Sequence, residues 1–414
     1  MSGRKVKLGE ICDFINGGAW SDKEYVSYGI PVLKVSNFKP NGFSINDINY
    51  LPVESAEKYR KNELNLDDVI IATVGSHPTL KDSAAGRSCV IDSRIVGFYL
   101  NQNAVCLRTK NKNILNQRYL GFLVKTPSFL HYIQSSGRGA ANQMRIAIGA
   151  IKEYEFVLPQ IEIQGRIADI LSAYDDLIEN NHKQIKLLEE AAQRLYKEWF
   201  VDLHFPGYEH TKIVDGVPEG WKKGRADSFF DITIGKTPPR AEQQWFTDTK
   251  KGIPWVSISD MGNTDIFIFD TSEELTTEAI VKHNVKIVPA GTVLLSFKLT
   301  VGRVSIAGTD VCTNEAIAHF RILEPSIREY TYCYLKNYHY DTLGSTSSIS
   351  KAINSKIVKA MPFLMPSYVI MDEFSVYCRP LLEQIKSNQK MILNLRQARE
   401  RLLPKLMKEE VKVR

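Results

Sequence analysis

The stretch 167–200, IADILSAYDDLIENNHKQIKLLEEAAQRLYKEWF, decides how the chain is organised. It contains no Gly or Pro and is rich in Leu, Glu, Lys, Gln and Ala, so propensity favours one long helix. Read in heptads, one position holds Leu171, Ile178, Ile185, Ala192 and Trp199. The other holds Ile167, Tyr174, Asn181, Leu188 and Leu195. That is a coiled-coil seam with a single polar break, and a seam needs a partner. A shift of 207 residues without a gap supplies it: Phe374, Leu381, Asn388, Leu395 and Leu402 beside Cys378, Ile385, Ile392, Arg399 and Leu406. Even the lone Asn recurs. The two helices are expected to pair antiparallel about a pseudo-twofold axis. Ile178, Ile185, Leu188, Ile385, Ile392 and Leu395 should lie in the seam, with Asn181 facing Asn388 near the middle.

Outward from this helix the layout is a tandem repeat. Residues 4–160 read as a mixed domain, with β-rich runs at 30–35, 68–74, 88–91 and 104–107, a helix-like stretch at 117–134, and a strand at 151–159. Residues 201–221 form a Pro/Gly linker without a period. Then Ile30-Pro31-Val32 returns as Ile253-Pro254-Trp255, Gly86-Arg87 as Gly302-Arg303, and Ala104-Val105 as Ala316-Ile317. Gly137 and Pro159 return as Gly344 and Pro366, in fixed register with the helices. The expected architecture is α/β (α+β): two tandem domains, 1–160 and 206–366, separated by long helices in 161–205 and 367–414 that form an antiparallel coiled coil.

Composition narrows the function. There is no run of about 18 apolar residues to span a membrane, and the N-terminal MSGRKVKLGEIC lacks a signal-peptide core. Six cysteines (12, 89, 106, 312, 333, 378) form no CxxC pair, which fits reduced cytosolic thiols. Residues 1–160 carry 20 basic and 14 acidic groups, 161–205 carry 5 and 9, 206–366 carry 18 of each, and 367–414 carry 10 and 6. The two helix regions therefore differ in sign, which favours pairing with each other over self-pairing.

Catalytic motifs are not found. Gly235-Lys236-Thr237 fails as a phosphate loop, because position 230 is Phe and Pro238-Pro239 follows where a helix is required. Gly137-Arg138-Gly139 fails the dinucleotide fingerprint at Asn142. The eight His residues show no metal spacing, and no Asn-Pro-Pro-aromatic or Asp-Pro-Pro-aromatic methylation motif occurs.

The whole layout resembles the DNA specificity (S) subunit of type I restriction-modification systems. The resemblance is carried by VKLGEICDFINGG (6–18), PEGWKKGRADSFFDITIGKTP (218–238), GIPWVSISDM (252–261), LTVGRVSI (299–306), TNEAI (313–317) and RQARERLLPKL (396–406). It implies a non-catalytic subunit whose two target recognition domains each read half of a split site on double-stranded DNA. It also implies a helix pair that spaces them and docks two methylation (M) subunits, together with restriction (R) subunits, in a prokaryotic cytoplasm. S-adenosylmethionine, ATP and Mg²⁺ would belong to those partners. The rival readings are a stand-alone sequence-specific DNA regulator and a nuclease or methyltransferase in its own right.

Polar side chains near strand ends are the candidate DNA contacts. In the first half these are Lys34, Ser36, Asn37, Thr73, Ser76, His77, Lys81, Arg138, Asn142, Gln143 and Arg145. In the second they are Ser257, Ser259, Asp260, Ser296, Lys298, Arg303, Ser348 and Lys351, with Ser345, Ser347 and Ser350 beside them. Arg or Lys can address guanine O6/N7 and Asn or Gln adenine N6/N7, while other contacts grip phosphate and set register. Apolar residues off the seam (Ile170, Leu177, Leu187, Tyr196, Phe200, Tyr377, Met391, Leu393 and Leu403) are the candidate docking surface.

Overall fold

The computed structural model describes residues 4–39, 42–75, 85–140, 143–343, 353–408 and 410–411, with the side chains of 138–143 outside that description. The chain forms two units, Met1–Leu177 with Leu395–Arg414, and Ile178–Asn394.

The first unit is built on an antiparallel four-stranded sheet in the order Cys12–Asn16, Ala104–Thr109, Val69–Ala72, Ser88–Val90. Val69, Ile71, Val105 and Leu107 point to one face, where Tyr119, Leu120, Phe129 and Ile133 cover them. Ile70, Ala72 and Cys106 point to the other, against Leu33, Phe38 and Ile95, as period-2 alternation requires. A short sheet joins Ile30–Leu33 to Tyr99–Leu100 in parallel and to Asn49–Leu51 antiparallel. The expected helix at 117–134 is two helices, Gln117–Leu123 and Pro127–Ser136. Thr126 caps the second, with Pro127 at its first position, so the break is written in the sequence. The expected strand at 151–159 begins later, at Glu155–Leu158, because Ile148–Lys152 is helical.

The second unit repeats this plan. Its main sheet runs Asp231–Ile234, Ile317–Arg321, Val293–Ser296, Val304–Ala307, Phe267–Ile268. Ile253–Val256 pairs in parallel with Cys312–Thr313. Hydrogen bonds fix the match between the copies. Thr73 N–H donates to Asn103 O and Phe297 N–H to Ala316 O; Asn101 N–H donates to Leu33 O and Asn314 N–H to Val256 O. Asn103 therefore corresponds to Ala316, one residue off the Ala104–Ala316 match expected from sequence. In a strand that slip would exchange the two faces. Part of the linker is structured as well: Ile213–Val214 and Val217–Pro218 form a hairpin around Asp215 and Gly216, both at positive φ.

The central helix spans Ile161–Tyr196 and the C-terminal helix Tyr368–Met407. Within the first unit Arg399 ion-pairs with Asp175. Within the second, Asn388 Nδ2 donates to Gln184 Oε1 at 3.0 Å, and Trp199 packs on Phe374 with centroids 5.8 Å apart. Rising numbers on one helix meet falling numbers on the other, so the pair is antiparallel. Leu171, Ile178, Ile185, Ala192 and Trp199 are all buried, as are Cys378, Ile385, Ile392 and Leu406. Arg399, the odd residue of that heptad series, is accounted for by Asp175. Leu188, Leu395 and Asn181 are half-buried. The expected Asn181–Asn388 pairing is corrected. The residue that takes the Asn388 amide is Gln184, about one turn along, and Gln384 donates to Asn388 Oδ1 at 2.9 Å.

The central helix ends in a π turn, Lys197–Val201. The wider turn lets the consecutive residues Trp199 and Phe200 both be buried. Phe200 sits on Tyr330 at 4.6 Å, Phe374 at 5.0 Å and Trp221 at 5.7 Å. Tyr196, Phe200 and Leu403 are thus core, not docking surface. Leu177, Leu187, Tyr377, Met391 and Leu393 stay exposed, while Ile170 is half-buried.

Candidate nucleic-acid interface

The two copies hold a common frame. Lys34 N–H donates to Asn37 Oδ1 at 2.9 Å, and Ser257 N–H donates to Asp260 Oδ2 at 2.9 Å. Asn37, only 4% exposed, also donates from Nδ2 to Ser44 O at 3.1 Å. Asp260, at 9%, also accepts from the Ser257 hydroxyl at 2.6 Å and from Ser272 N–H at 3.0 Å. Arg87 Nη1 donates to Phe38 O at 2.8 Å, and Arg303 Nη1 donates to Ile258 O at 2.5 Å. Ser296 is fully buried; its hydroxyl donates to Thr300 O and accepts from Arg303 N–H. Five expected DNA contacts (Asn37, Ser257, Asp260, Ser296 and Arg303) are therefore committed to internal bonds, and are better read as braces. A buried polar group must find such partners or pay its desolvation.

Two glycines belong to the same frame. A Cβ on Gly17 would lie 1.9 Å from Asn101 O, and one on Gly235 would lie 2.2 Å from Asn314 O. Asn101 and Asn314 are equivalent positions, so both sheets need Gly where one strand closes on the next. That is the structural meaning of Gly235-Lys236-Thr237.

Beside this frame the copies differ. In the first unit a cleft of about 300 Å³ is lined by Asn16, Gly17, Thr73, Gln102, Asn103 and Arg145, among others. Strand pairing of Arg145 with Val74 brings Arg145 beside Thr73, and its side chain is exposed. Asn103 turns the chain at φ 73°. Gln102 and Asn103 were not among the residues expected from sequence; the signal was the polar Asn101-Gln102-Asn103 turn between two apolar strands. In the second unit the equivalents of Thr73, Val74, Gln102 and Asn103 are Phe297, Lys298, Glu315 and Ala316. Thr237 Oγ1 donates to Glu315 Oε2. Burial pushes the Glu315 carboxyl up, but the Thr237 hydroxyl and the Lys298 and Arg240 charges outweigh it and hold it below the usual range. Arg240 stacks 4.2 Å from the Phe246 ring centroid and 4.4 Å from that of Trp255, with its guanidinium on Glu273. Thr237 and Arg240 were likewise missed.

The other expected contacts fall as follows. Lys34 Nζ donates to Asn49 Oδ1 at 2.8 Å; Ser36, Ser259 and Lys298 are exposed. Arg138 and Gln143 lie on paired strands, with their side chains outside the described set. Ser76, His77, Lys81, Asn142, Ser345, Ser347, Ser348, Ser350 and Lys351 lie outside the described residues. Among the described residues no group of His, Cys, Asp and Glu could hold a metal, and no helix is long and apolar enough to cross a membrane. The six cysteines are free and buried; burial pushes the thiols of Cys12, Cys89 and Cys312 up to about 12.

A frame repeated in the two units, with different residues set beside it in each, describes a two-part reading subunit. The chain belongs to the family of the type I restriction modification DNA specificity domain, whose model matches residues 4–190 and 218–369. It is a specificity subunit of a type I restriction-modification system, a family that is not itself catalytic. It is 28% identical over 314 residues to the MjaIX specificity subunit of Methanocaldococcus jannaschii, covering 71% of this chain and 69% of that one. The putative MjaX specificity subunit of the same organism is 23% identical, covering 94% and 91%. The crystal structure of the type I S subunit from M. genitalium shares the fold at TM-score 0.56 and 14% identity, covering 97% and 95%.

Proposed function

We propose that each unit reads one half of a split DNA sequence and that the helix pair docks the subunits that act on it. The observation that carries this is the contrast between repeated and unrepeated residues. Braces recur as Asn37 and Asp260, Arg87 and Arg303, Gly17 and Gly235. The residues at the first unit's cleft positions do not recur in the second: Val74 against the exposed Lys298, Gln102 against Glu315, and Thr73 against the buried Phe297. One scaffold with two sets of reading residues suits two different half-sites, since base edges are discriminated by the donors, acceptors and apolar groups presented to them.

The exposed Leu187 (64%), Met391 (50%) and Leu393 (37%) on the helices suit apolar docking of methylation subunits, two of them if the pseudo-twofold repeat is used twice. Restriction subunits would join that assembly. S-adenosylmethionine, ATP and Mg²⁺ would be held by those partners. The test is a chimera in which residues 221–350 are replaced by the matching domain of a relative, followed by mapping of methylated bases. One half of the target should change. A change in both halves sinks the reading.

A further inference from the structure

Leu299 is 97% exposed, and its backbone is left-handed at φ 60°, a conformation that a bulky L-residue adopts only when its surroundings impose it. It sits in the loop joining Val293–Ser296 to Val304–Ala307, which pair antiparallel from Val293 with Ile306 to Leu295 with Val304. The surroundings do impose it. The buried Ser296 hydroxyl donates to Thr300 O at 2.6 Å and accepts from Arg303 N–H at 3.0 Å, while Gly302 N–H donates to Ser296 O at 3.0 Å. Thr300 N–H closes the tip on Lys298 O at 2.7 Å. A braced hairpin thus holds Leu299 in solvent at its tip, far more exposed than Val301 two residues on, directly after the buried Phe297 and the exposed Lys298. Lys298 is itself exposed and near enough to influence Glu315.

We propose that Leu299 is a specificity-determining residue that reads the C5-methyl group of a thymine in the half-site of the second unit. The proposal rests on the reading of the second unit as a DNA reader. In the major groove the thymine methyl is the apolar feature that a hydrocarbon side chain projecting from a hairpin tip can recognise. The neighbouring Lys298 ammonium supplies the charge that a phosphate-lined groove attracts. The sequence at the tip, Lys298-Leu299-Thr300, sets this apolar group directly beside one exposed cation, which suits an anionic partner with an apolar mark on its surface.

The experiment uses the chain assembled with its methylation subunits, and duplexes carrying the target found by mapping methylated bases. Each thymine of the second half-site is replaced in turn by deoxyuridine, which removes only the methyl group. The wild type should lose roughly 5- to 10-fold in affinity at one position. Leu299→Ala should lose a similar factor on the natural target and nothing further on that deoxyuridine duplex, with an unchanged salt slope. Leu299→Gly, which relieves the left-handed backbone, should bind like Leu299→Ala while remaining folded. Indifference of the wild type to every deoxyuridine, or equal weakening of Leu299→Ala on target and scrambled duplex, overturns the assignment. A wild-type complex that cannot tell target from scrambled DNA would instead sink the DNA-reading function and this inference together.

Discussion

Asn388 of the C-terminal helix donates its side-chain amide to Gln184 of the central helix at 3.0 Å, and Gln384, one turn before it, donates to its oxygen. Asn388 is 5% exposed, between the buried Ile385 and Ile392. A polar group at such a place fixes register at some cost in stability. Asn388→Leu should therefore raise stability in urea titration by about 1 kcal/mol and should broaden the oligomeric distribution seen by light scattering. A less stable, strictly monodisperse variant would show that the Asn is present for stability instead.

Bracing and reading are separable. Arg145→Ala, in the cleft of the first unit, should weaken specific DNA binding by about 1–3 kcal/mol without changing the unfolding midpoint. Arg303→Ala should do the opposite, lowering stability by roughly 1–3 kcal/mol because Ile258 O loses its partner. If Arg145→Ala weakens all duplexes alike and flattens the salt dependence, it grips phosphate and reads no base.

Leu187 and Leu393 are exposed on the helices of the second unit. Changing both to Glu should abolish co-purification with methylation subunits while circular dichroism and melting stay at wild-type values. Normal co-purification of the double variant would remove this surface from the docking proposal.

His319 should make the second unit sensitive to mild acid. Its ring is 1% exposed, with Thr233 Oγ1 2.9 Å from Nδ1 and Thr313 Oγ1 2.7 Å from Nε2. Burial, helped by the Lys286 charge, lowers its pKa from 6.5 to about 4. The unfolded chain takes up a proton on this ring near pH 6.5 and the folded chain does not. Stability from this group is thus complete above pH 6.5 and falls as the pH drops toward 4, by up to about 1.4 kcal/mol per unit. Urea midpoints measured at pH 7 and pH 5 should fall more for the wild type than for His319→Gln. Equal falls in the two proteins would show that carboxylates alone carry the acid sensitivity.

The helix pair was legible because heptad spacing selects a face directly from the sequence, and the faces it selected are buried at Leu171, Ile178, Ile185 and Ile392. Register was not legible. The period says which side of each helix turns inward but not how far one slides along the other, which depends on particular partners such as Asp175 with Arg399. Cover was also hidden: Tyr196, Phe200 and Leu403 lie off the seam yet are buried, because strands and helices distant in sequence pack over them. At the interface, residue type misled. Asn37 and Asp260 carry the groups a base reader needs, and the same groups make good braces. Only burial tells them apart. Gln102 and Glu315 escaped because a polar turn between two strands looks like any other turn until strand pairing places it beside Arg145 or Lys298.

The division of the chain into units has a consequence for how the protein is made. The core around Ile167 and Leu171 also contains Leu403 and Leu406, so residues 395–407 complete a unit whose other parts left the ribosome more than two hundred residues earlier. Domains made first generally fold first; here the first one waits. During translation its exposed apolar surface is a lure for chaperones and for neighbouring nascent chains. A stop codon in the final helix would injure the beginning of the protein, leaving the half synthesised first as the half that never closes.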